Sequence, residues 1–422
     1  MSTPLRLFTD QNRFAWQTLL VVALSAAALA RPSSAGQAVV DTKLWATDGS
    51  GPGGEAGVRV VARAGQVIYL GGDFRRVGPG TGGFVSLDAA SGRPVPPFPK
   101  VLGTVRAVTS DGQGGWYIGG SFTYVGGLAR SNLAHILADG SVASWDPKAD
   151  GGGVSALAVG GNTVYAGGYF RNIGGEPRDY IAALDATTGA ATDWKPNANS
   201  WVLTLAVSGG TVYAGGGFTS IGGKPRNRIA ALDVVSGQAT AWDPSANNYV
   251  SALVLSGSTV YVGGEFRSIG GQSRNYIAAL DAVTGAATPW DPNANRDVLA
   301  LVLSGGAVYA GGGFTSVGGQ ARNMLAALDA VSGAATAWNP SANSYVYALA
   351  LNGGTVYAGG YFTSVGGQTR NYMAALDAVT GAATAWNPNA NDVVYALGTS
   401  GGTECAGGRF TGGVPTSVEK LA

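Results

Sequence analysis

Two residue types that dominate enzyme and metal chemistry are almost absent from this sequence. Its 422 residues include one cysteine, Cys405, and one histidine, His135. A disulfide within the chain is therefore impossible, and a zinc site of the usual Cys/His kind is nearly excluded. Catalysis by a Cys–His pair would require two residues far apart in the sequence to meet. We predict a buried structural role for Cys405, no metal site and no cofactor.

Charge of either sign is also scarce. Charged residues make up 12% of the chain and the net charge is +1, whereas hydrophobic residues make up 45%. This composition can bury a large core and is not that of a disordered chain. It gives no sign of the basic surface that nucleic-acid binding requires, so we predict no nucleic-acid partner.

Long apolar runs are missing except near the N-terminus. Arg6 and Arg13 precede an apolar stretch over residues 14–30, which is the pattern of a secretory signal. We predict a signal peptide over residues 1–35, removed before Gly36, with cleavage after Ala30 or an uncleaved anchor as alternatives. The stretch is short for a membrane span. The predicted location is secreted, or the periplasm or cell envelope, without stable membrane insertion.

Glycine is abundant, and its spacing reveals a repeat. A phenylalanine follows a Gly-Gly pair and one variable residue eight times, always at an interval of 48 residues: Phe74, Phe122, Phe170, Phe218, Phe266, Phe314, Phe362 and Phe410. One unit divides into four short β-rich segments, namely 346–351, 355–359, 372–377 and 382–386. Four antiparallel strands in about 48 residues is the size of one propeller blade. We therefore predict an all-β, eight-bladed β-propeller over residues 36–422.

The two ends of the chain predict how the propeller closes. The last unit stops after its third segment, Ser417 to Ala422, whereas residues 39–45 resemble a spare fourth segment that ends in Trp45. Pairing residues 39–45 with the last blade would complete that sheet and remove its open edges. An open β-solenoid is the structural alternative.

The repeat also resembles known families. The phrases TVYAGGYFTSVGG and YMAALDAVTGAATAW resemble the delta-60 repeat β-propeller family of bacterial exported proteins, over nearly all of residues 39–422. The Gly-Gly pairs and later tryptophans resemble kelch repeats, and ALDAxTGxxxxW is similar to the docking segment of pyrroloquinoline-quinone (PQQ) propellers. The resemblance implies a propeller fold and no single activity. The chain lacks the adjacent cysteines that the quinone class commonly uses.

The sequence offers no set of residues that predicts catalysis. Aspartates that recur at one repeat position, such as Asp185 and Asp377, precede a turn and are interpreted as structural. The longer loops of each repeat are predicted to share one face, where ligands can bind. The candidate ligand-binding residues there are Arg130, Arg178, Arg226, Arg274, Arg322, Arg370, Trp201, Tyr249 and Tyr345. The alternative for the arginines is that they lock the blades through backbone carbonyls.

These observations predict an exported, monomeric, non-enzymatic β-propeller that acts as a binding or surface-interaction module. Arginine, asparagine and aromatic side chains suit a protein or glycan partner. The alternative is an enzyme, either quinoprotein-like or carbohydrate-active, which is supported only by analogy at the level of the fold.

Overall fold

The computed structural model describes residues 81–411 in full, together with the backbones of five N-terminal strands. These ranges contain strands and turns but no helix, so none of their segments is an apolar helix able to cross a membrane. The signal peptide predicted over residues 1–35 lies outside the described residues, apart from the strand Leu5–Leu7.

The chain divides into two compact units. The first comprises Met1–Gly80 and Val414–Ala422, and the second comprises Thr81–Gly413. In the first unit, the strand Val67–Asp73 pairs with Leu5–Leu7 in parallel and with Gly57–Ala64 in antiparallel orientation. The strand Trp45–Asp48 pairs with Arg76–Pro79. Trp45 therefore pairs within its own unit.

The second unit contains seven similar antiparallel sheets within residues 81–411, each with a first, a second and a third strand. The first strands are Val101–Ser110, Val154–Gly160, Val202–Ser208, Val250–Ser256, Val298–Ser304, Val346–Asn352 and Val394–Ser400. The second strands are Trp116–Val125, Thr163–Gly168, Thr211–Gly216, Thr259–Gly264, Ala307–Gly312, Thr355–Gly360 and Thr403–Gly408. The third strands are Leu133–Ile136, Ile181–Asp185, Ile229–Asp233, Ile277–Asp281, Leu325–Asp329, Met373–Asp377 and, for the last sheet, Phe84–Asp88.

In the first six repeats the second strand leads into a short β-ribbon before the third strand begins. In the first repeat the ribbon is formed by Leu128–Ala129 against the end of the second strand. In the next five repeats it pairs Asn172–Ile173 with Glu176–Pro177, Ser220–Ile221 with Lys224–Pro225, Ser268–Ile269 with Gln272–Ser273, Ser316–Val317 with Gln320–Ala321, and Ser364–Val365 with Gln368–Thr369. The predicted fourth strand is reduced to a single bridge, for example Leu376 with Ala383.

Aromatic side chains fill the space between neighbouring sheets. Phe218 is fully buried in one cluster with Trp194 and Tyr165, which belong to the preceding repeat. The Tyr165 and Trp194 rings meet edge to face, with their centroids 5.2 Å apart. Such pairs add to the free energy that burial of their apolar area supplies.

Hydrogen bonds from the same aromatic residues tie each sheet to the next. The indole N–H of Trp338 donates to the carbonyl of Asp377 at 2.9 Å, and the Tyr309 hydroxyl donates to the carbonyl of Ala378 at 2.9 Å. Six tryptophans make this bond to the following repeat: Trp145, Trp194, Trp242, Trp290, Trp338 and Trp386. Each bond stabilises the fold by about 1 kcal/mol.

The last sheet is completed in a different way from the prediction. Its second strand, Thr403–Gly408, pairs with Phe84–Asp88, in the place that the sequence analysis gave to Ser417–Ala422. Trp386 and Tyr357 donate to the carbonyls of Asp88 and Ala89, just as Trp338 and Tyr309 donate to Asp377 and Ala378 at another third strand. The residues from 39 to 44 and from 412 to 422 lie outside the described residues. The predicted closure through residues 39–45 is therefore not confirmed.

Contacts between first strands run from one sheet to the next and return to the start. Each first strand lies against the first strand of the following sheet, and Val394–Ser400 lies against Val101–Ser110. Gly407 of the last sheet packs against Val105 of the first, just as Gly359 packs against Val394. The last and first sheets thus share the first-strand contact and the glycine–valine packing of the other neighbouring pairs.

We expect the pairing of Phe84–Asp88 to be detectable with one substitution. Ser86 and Cys405 are directly opposite in the register, and the Ser86 hydroxyl lies 3.4 Å from the Cys405 sulfur. Directly opposed antiparallel residues have the Cα separation that a disulfide needs. Ser86→Cys should therefore form a disulfide on mild oxidation, measured by peptide mass mapping without reductant. The substitution Val85→Cys is the control, because adjacent strand residues point to opposite faces. Two free thiols in oxidised Ser86→Cys would contradict the pairing.

Candidate functional site

The seven repeats of residues 81–411 share a set of packing residues, beside which three positions differ strongly. Every first strand has a valine where the sheets pack, and every second strand ends in Gly-Gly followed, after one residue, by phenylalanine. Three neighbouring positions differ from repeat to repeat. The first precedes this valine: Thr104, Gly153, Trp201, Tyr249, Asp297, Tyr345 and Val393. The second follows it: Arg106, Ser155, Leu203, Ser251, Leu299, Tyr347 and Tyr395. The third follows Gly-Gly: Ser121, Tyr169, Gly217, Glu265, Gly313, Tyr361 and Arg409. We call these three sets the variable end.

Backbone geometry brings the three positions together. The pairing of first and second strands shifts register at the second position in all seven sheets, for example between Val154 and Ala156. Such a bulge leaves one residue unpaired and redirects its side chain. The first and third positions are hydrogen-bonded neighbours, as where the Tyr169 amide donates to the carbonyl of Gly153 at 2.8 Å. Each sheet therefore presents its differing side chains at the same end.

Three aromatic residues from successive repeats form one stacked group. The ring centroids of Tyr169 and Trp201 are 4.6 Å apart, and those of Trp201 and Tyr249 are 5.7 Å apart, with nearly parallel planes in both pairs. Burial among these rings raises the pKa of Tyr169. We call Tyr169, Trp201 and Tyr249 the first aromatic group.

A second aromatic group comprises Tyr345, Tyr347 and Tyr395 of the last two repeats. The Tyr345 and Tyr347 centroids are 5.8 Å apart, and those of Tyr347 and Tyr395 are 5.5 Å apart. Partial burial, followed by the neighbouring tyrosines, raises the pKa of Tyr347. The structure thus places two of the predicted site residues, Trp201 and Tyr249, in one group and the third, Tyr345, in the other.

The polar tips of both aromatic groups are unused within the described residues. Buried tyrosines elsewhere donate to the next sheet, as Tyr309 does to Ala378. No hydrogen bond joins the hydroxyls of Tyr169, Tyr249, Tyr345, Tyr347 or Tyr395, or the indole N–H of Trp201, to another described residue. Half-buried aromatics with spare polar tips are typical of binding surfaces.

Charged side chains lie beside the aromatic groups. Arg296 pairs with Asp297 at 3.1 Å and stands 5.2 Å from the centre of the Tyr345 ring. Arg228 lies over Tyr249 and donates to the carbonyl of Gly217 at 2.7 Å. Arg409 pairs with Asp392 at 2.9 Å. Arg106 has no such ion pair or hydrogen bond to another described residue.

The six arginines predicted as ligand-binding residues occupy a different environment. Each donates from one terminal nitrogen to the carbonyl of the preceding residue and from the other to a carbonyl 13 or 14 positions further on. In Arg322 these acceptors are Ala321, at 2.8 Å, and Thr336, at 2.6 Å. The bonds join the ribbon to the segment after the third strand in the same repeat. They agree with the alternative that these arginines hold the backbone, and ligand binding by them stays a prediction.

We expect Arg322→Met to lower the free energy of unfolding by about 2 kcal/mol, because it removes two hydrogen bonds from a charged donor and leaves two carbonyls without partners. Urea unfolding followed by tryptophan fluorescence measures the effect. The control is Arg296→Met, which removes an exposed ion pair worth less than about 1 kcal/mol. Equal stability of Arg322→Met and the unaltered protein would contradict the structural role.

The repeated aspartates have the structural role that the sequence predicts. In Asp377 the carboxylate accepts from the amides of Val379 and Thr380 and from the Thr380 hydroxyl. These bonds lower the pKa of Asp377 and hold the turn that follows the third strand. Cys405 is fully buried, as predicted.

His135 also has a contact that the sequence did not indicate. Its Nε2 lies 2.9 Å from the Asp111 carboxylate, and its ring stacks on Tyr117 with the centroids 4.2 Å apart. Asp111 accepts in addition from the amides of Gln113 and Gly115. These partners fix the hairpin turn of the first repeat. Within the described residues, no group of three His, Cys, Asp or Glu side chains could hold a metal ion.

One buried carboxyl group departs from the repeat. Glu404 stands where Val356 stands in the preceding repeat, and it is 1% exposed. One oxygen accepts from the Asn352 amide at 3.1 Å, whereas the other has no partner in the described residues. Burial raises the pKa of Glu404 to about 7. Because Glu404 is buried and one of its oxygens has no partner in the described residues, we expect it to destabilise the folded protein at this sheet-to-sheet contact.

We expect Glu404→Val to stabilise the protein in a pH-dependent way. The folded-state pKa of Glu404, about 7, exceeds its ordinary value of 4.5. The stability that the protonated carboxyl contributes is therefore fully present below pH 4.5 and is lost as the pH rises to 7. The advantage of Glu404→Val should therefore grow between these pH values, by as much as roughly 3 kcal/mol. Urea unfolding at pH 4.5, 6 and 7.5 measures it. The control Glu265→Val removes an exposed carboxylate and should show no such trend. An advantage that is independent of pH would disprove this role.

A family model and one solved structure support the propeller-like architecture. A family model described as "Domain of unknown function (DUF5122) beta-propeller" matches residues 259–283 and 354–379. The WD40 β-propeller domain of Doa1 is similar with a TM-score of 0.51 and 13% identity, over 77% of this chain and 94% of that one. The computationally designed Ika8 protein gives a TM-score of 0.47 and 17% identity, over 74% of this chain and 95% of that one. No curated protein sequence matches the chain.

The fold and these matches define the class: this is an all-β, propeller-like protein built from repeated blades. The family model supports a propeller repeat family, and the more specific delta-60 assignment stays a prediction.

Proposed function

We propose that this chain is an exported, non-enzymatic binding module that recognises a protein or glycan ligand at its variable end. The observation that carries the proposal is the location of sequence differences. The repeats keep the valine, the Gly-Gly pair and the phenylalanine at which the sheets pack, and they differ at three positions that lie together. A scaffold that repeats its packing and varies one surface is the arrangement used by other repeat proteins that bind ligands.

We also propose that the seven sheets of residues 81–411 form a closed seven-bladed ring, in place of the eight blades expected from the sequence. Three contacts support closure: the pairing of Phe84–Asp88 with Thr403–Gly408, the bonds from Trp386 and Tyr357, and the packing of Gly407 on Val105. In such a ring, the variable end surrounds the mouth of the central channel.

The composition of the variable end favours binding over support. Tyrosine, tryptophan and arginine are enriched where proteins contact ligands, because they combine a large apolar surface with polar tips. Six such aromatic residues with unused polar tips lie in the two aromatic groups. Tyr309, by contrast, uses its hydroxyl to bond to the next sheet.

Export and a monomeric state remain part of the proposal. The basic and apolar N-terminal sequence supports export. Packing of one repeat on the next satisfies the sheets within a single chain, which supports a monomer.

We expect Trp201→Ala and Tyr345→Ala each to weaken ligand binding more than about tenfold, because aromatic residues at the centre of an interface carry most of its binding energy. Binding of the full chain and its variants to arrayed glycans and peptides, followed by titration calorimetry, measures the loss. Tyr124→Ala is the control, since Tyr124 is an exposed tyrosine outside the variable end.

The thermal unfolding temperature of each variant should stay close to that of the unaltered chain, which separates lost binding from lost structure. A ligand that both alanine variants bind as tightly as the unaltered chain would contradict the position of the site. Turnover of a glycan by the unaltered chain would contradict the non-enzymatic role.

A further inference from the structure

Arg106 differs from the other six residues at the second position of the variable end. It is the only charged one, and the others are serine, leucine or tyrosine. It lies at the bulge of the first strand Val101–Ser110, where the register shifts between Val105 and Ala107. Its side chain is exposed. In the remaining repeats this bulge presents an uncharged side chain.

The order of the sheets places Arg106 between the two aromatic groups. Tyr347 and Tyr395 are second-position residues of adjacent sheets, and their contact shows that neighbouring side chains at this position meet. The strand that carries Tyr395 lies against the strand that carries Arg106, which in turn lies against the first strand Val154–Gly160. Tyr169 belongs to the same sheet as that last strand. The sheet of Arg106 thus lies between the sheet of Tyr395 and the sheet of Tyr169.

Tyr169 is half-buried, so part of its ring is open to a ligand. Trp201 of the following repeat stacks on the ring. Three glycines, Gly151, Gly152 and Gly153, form the connection before the first strand of the same sheet. A Cβ atom at Gly152 would come within 2.7 Å of the Tyr169 Cβ. Glycine at position 152 therefore leaves room for the tyrosine side chain.

Charge pairing separates Arg106 from the other arginines near the variable end. Arg296 and Arg409 have carboxylate partners, and Arg228 donates to backbone carbonyls. Arg106 has neither kind of partner among the described residues. Its positive charge opposes the effect of burial on the pKa of Tyr169, which agrees with their proximity. An unpaired guanidinium is a ready donor of two parallel hydrogen bonds to a carboxylate.

We propose that the variable end binds an acidic oligosaccharide, with a uronate ring packed on Tyr169 and its carboxylate held by Arg106. This inference rests on the proposed binding function and names the class of ligand. The apolar C–H face of a pyranose matches an aromatic ring, and the polar tips of the neighbouring aromatic residues can bond to sugar hydroxyls. The uronate carboxylate projects from the edge of the sugar ring, where a guanidinium beside the aromatic face can reach it.

The test compares hexagalacturonic acid with its fully methyl-esterified form, because the two differ in charge and keep the same sugar rings. Titration calorimetry with the full chain should show preference for the acid. Arg106→Gln should weaken binding of the acid by roughly tenfold and leave binding of the ester nearly unchanged, because it removes one charge-assisted pair. Higher salt should reduce binding of the acid alone. Arg296→Gln is the matched control, since that arginine is already paired with Asp297, and it should keep the preference.

Three results would overturn the inference: equal binding of both probes, an acid preference that survives Arg106→Gln, or binding of neither probe. Equal binding of both probes leaves the proposed binding function intact if Trp201→Ala abolishes that binding. Failure of the binding function itself has a different signature, in which both probes bind Trp201→Ala as tightly as the unaltered chain. Binding of neither probe leaves that function to the glycan and peptide arrays.

Discussion

The close approach of neighbouring sheets depends on the two glycines that end every second strand. A Cβ atom on the first glycine would lie 2.5–2.8 Å from the valine of the next sheet in all seven repeats, closer than real Cβ atoms approach. A Cβ atom on the second would collide with the carbonyl of the residue before the packing valine of its own sheet. The first glycine sets the spacing between sheets, and the second sets the path of the backbone at the bulge. No other residue type satisfies both requirements.

This constraint separates the part of each repeat that must stay the same from the part that can vary. The valine, the Gly-Gly pair and the phenylalanine are in contact with a neighbouring sheet, so a change at any of them disturbs packing at near-crystalline density. The residues around them at the bulge point away from that contact. They can therefore range from glycine to tryptophan without altering the scaffold. The same geometry that secures the fold frees the variable end.

Much of the fold could be predicted from the sequence, because its signals are local and repeated. The interval between phenylalanines, the strand segments and the aspartate turns all follow from residues within one repeat. The partner of the last sheet could not be predicted in this way. The segment FVSLD at residues 84–88 has the same pattern as IAALD at residues 181–185, and so does the C-terminal segment. Any of them suits the third-strand position, and only the contacts of Trp386 and Tyr357 reveal which one is used.

The site was predicted in part for a related reason. Trp201, Tyr249 and Tyr345 were predicted as aromatic residues of the longer loops, and the structure places them at the variable end. Arg322 and its equivalents stood out because they recur, yet recurrence marks a bond that every repeat needs. Tyr169, Tyr347, Tyr395 and Arg106 were missed, although aligning the repeats by their Gly-Gly pairs would have exposed them. Positions at which the repeats differ therefore indicate the site better than positions at which they agree.

Equivalent sheets alone cannot fix the orientation of a bound ligand, whereas the differing residues of the variable end can. Seven identical surfaces would offer a ligand seven equal positions, so no single arrangement would be favoured. The variable end instead carries unlike groups on different sheets: stacked rings at Trp201, a paired charge at Asp297 and an unpaired one at Arg106. A ligand with both apolar and charged parts gains most in one alignment, because only one brings each part to its complement. Specificity in such a protein therefore lies in how the repeats differ, and stability lies in how they agree.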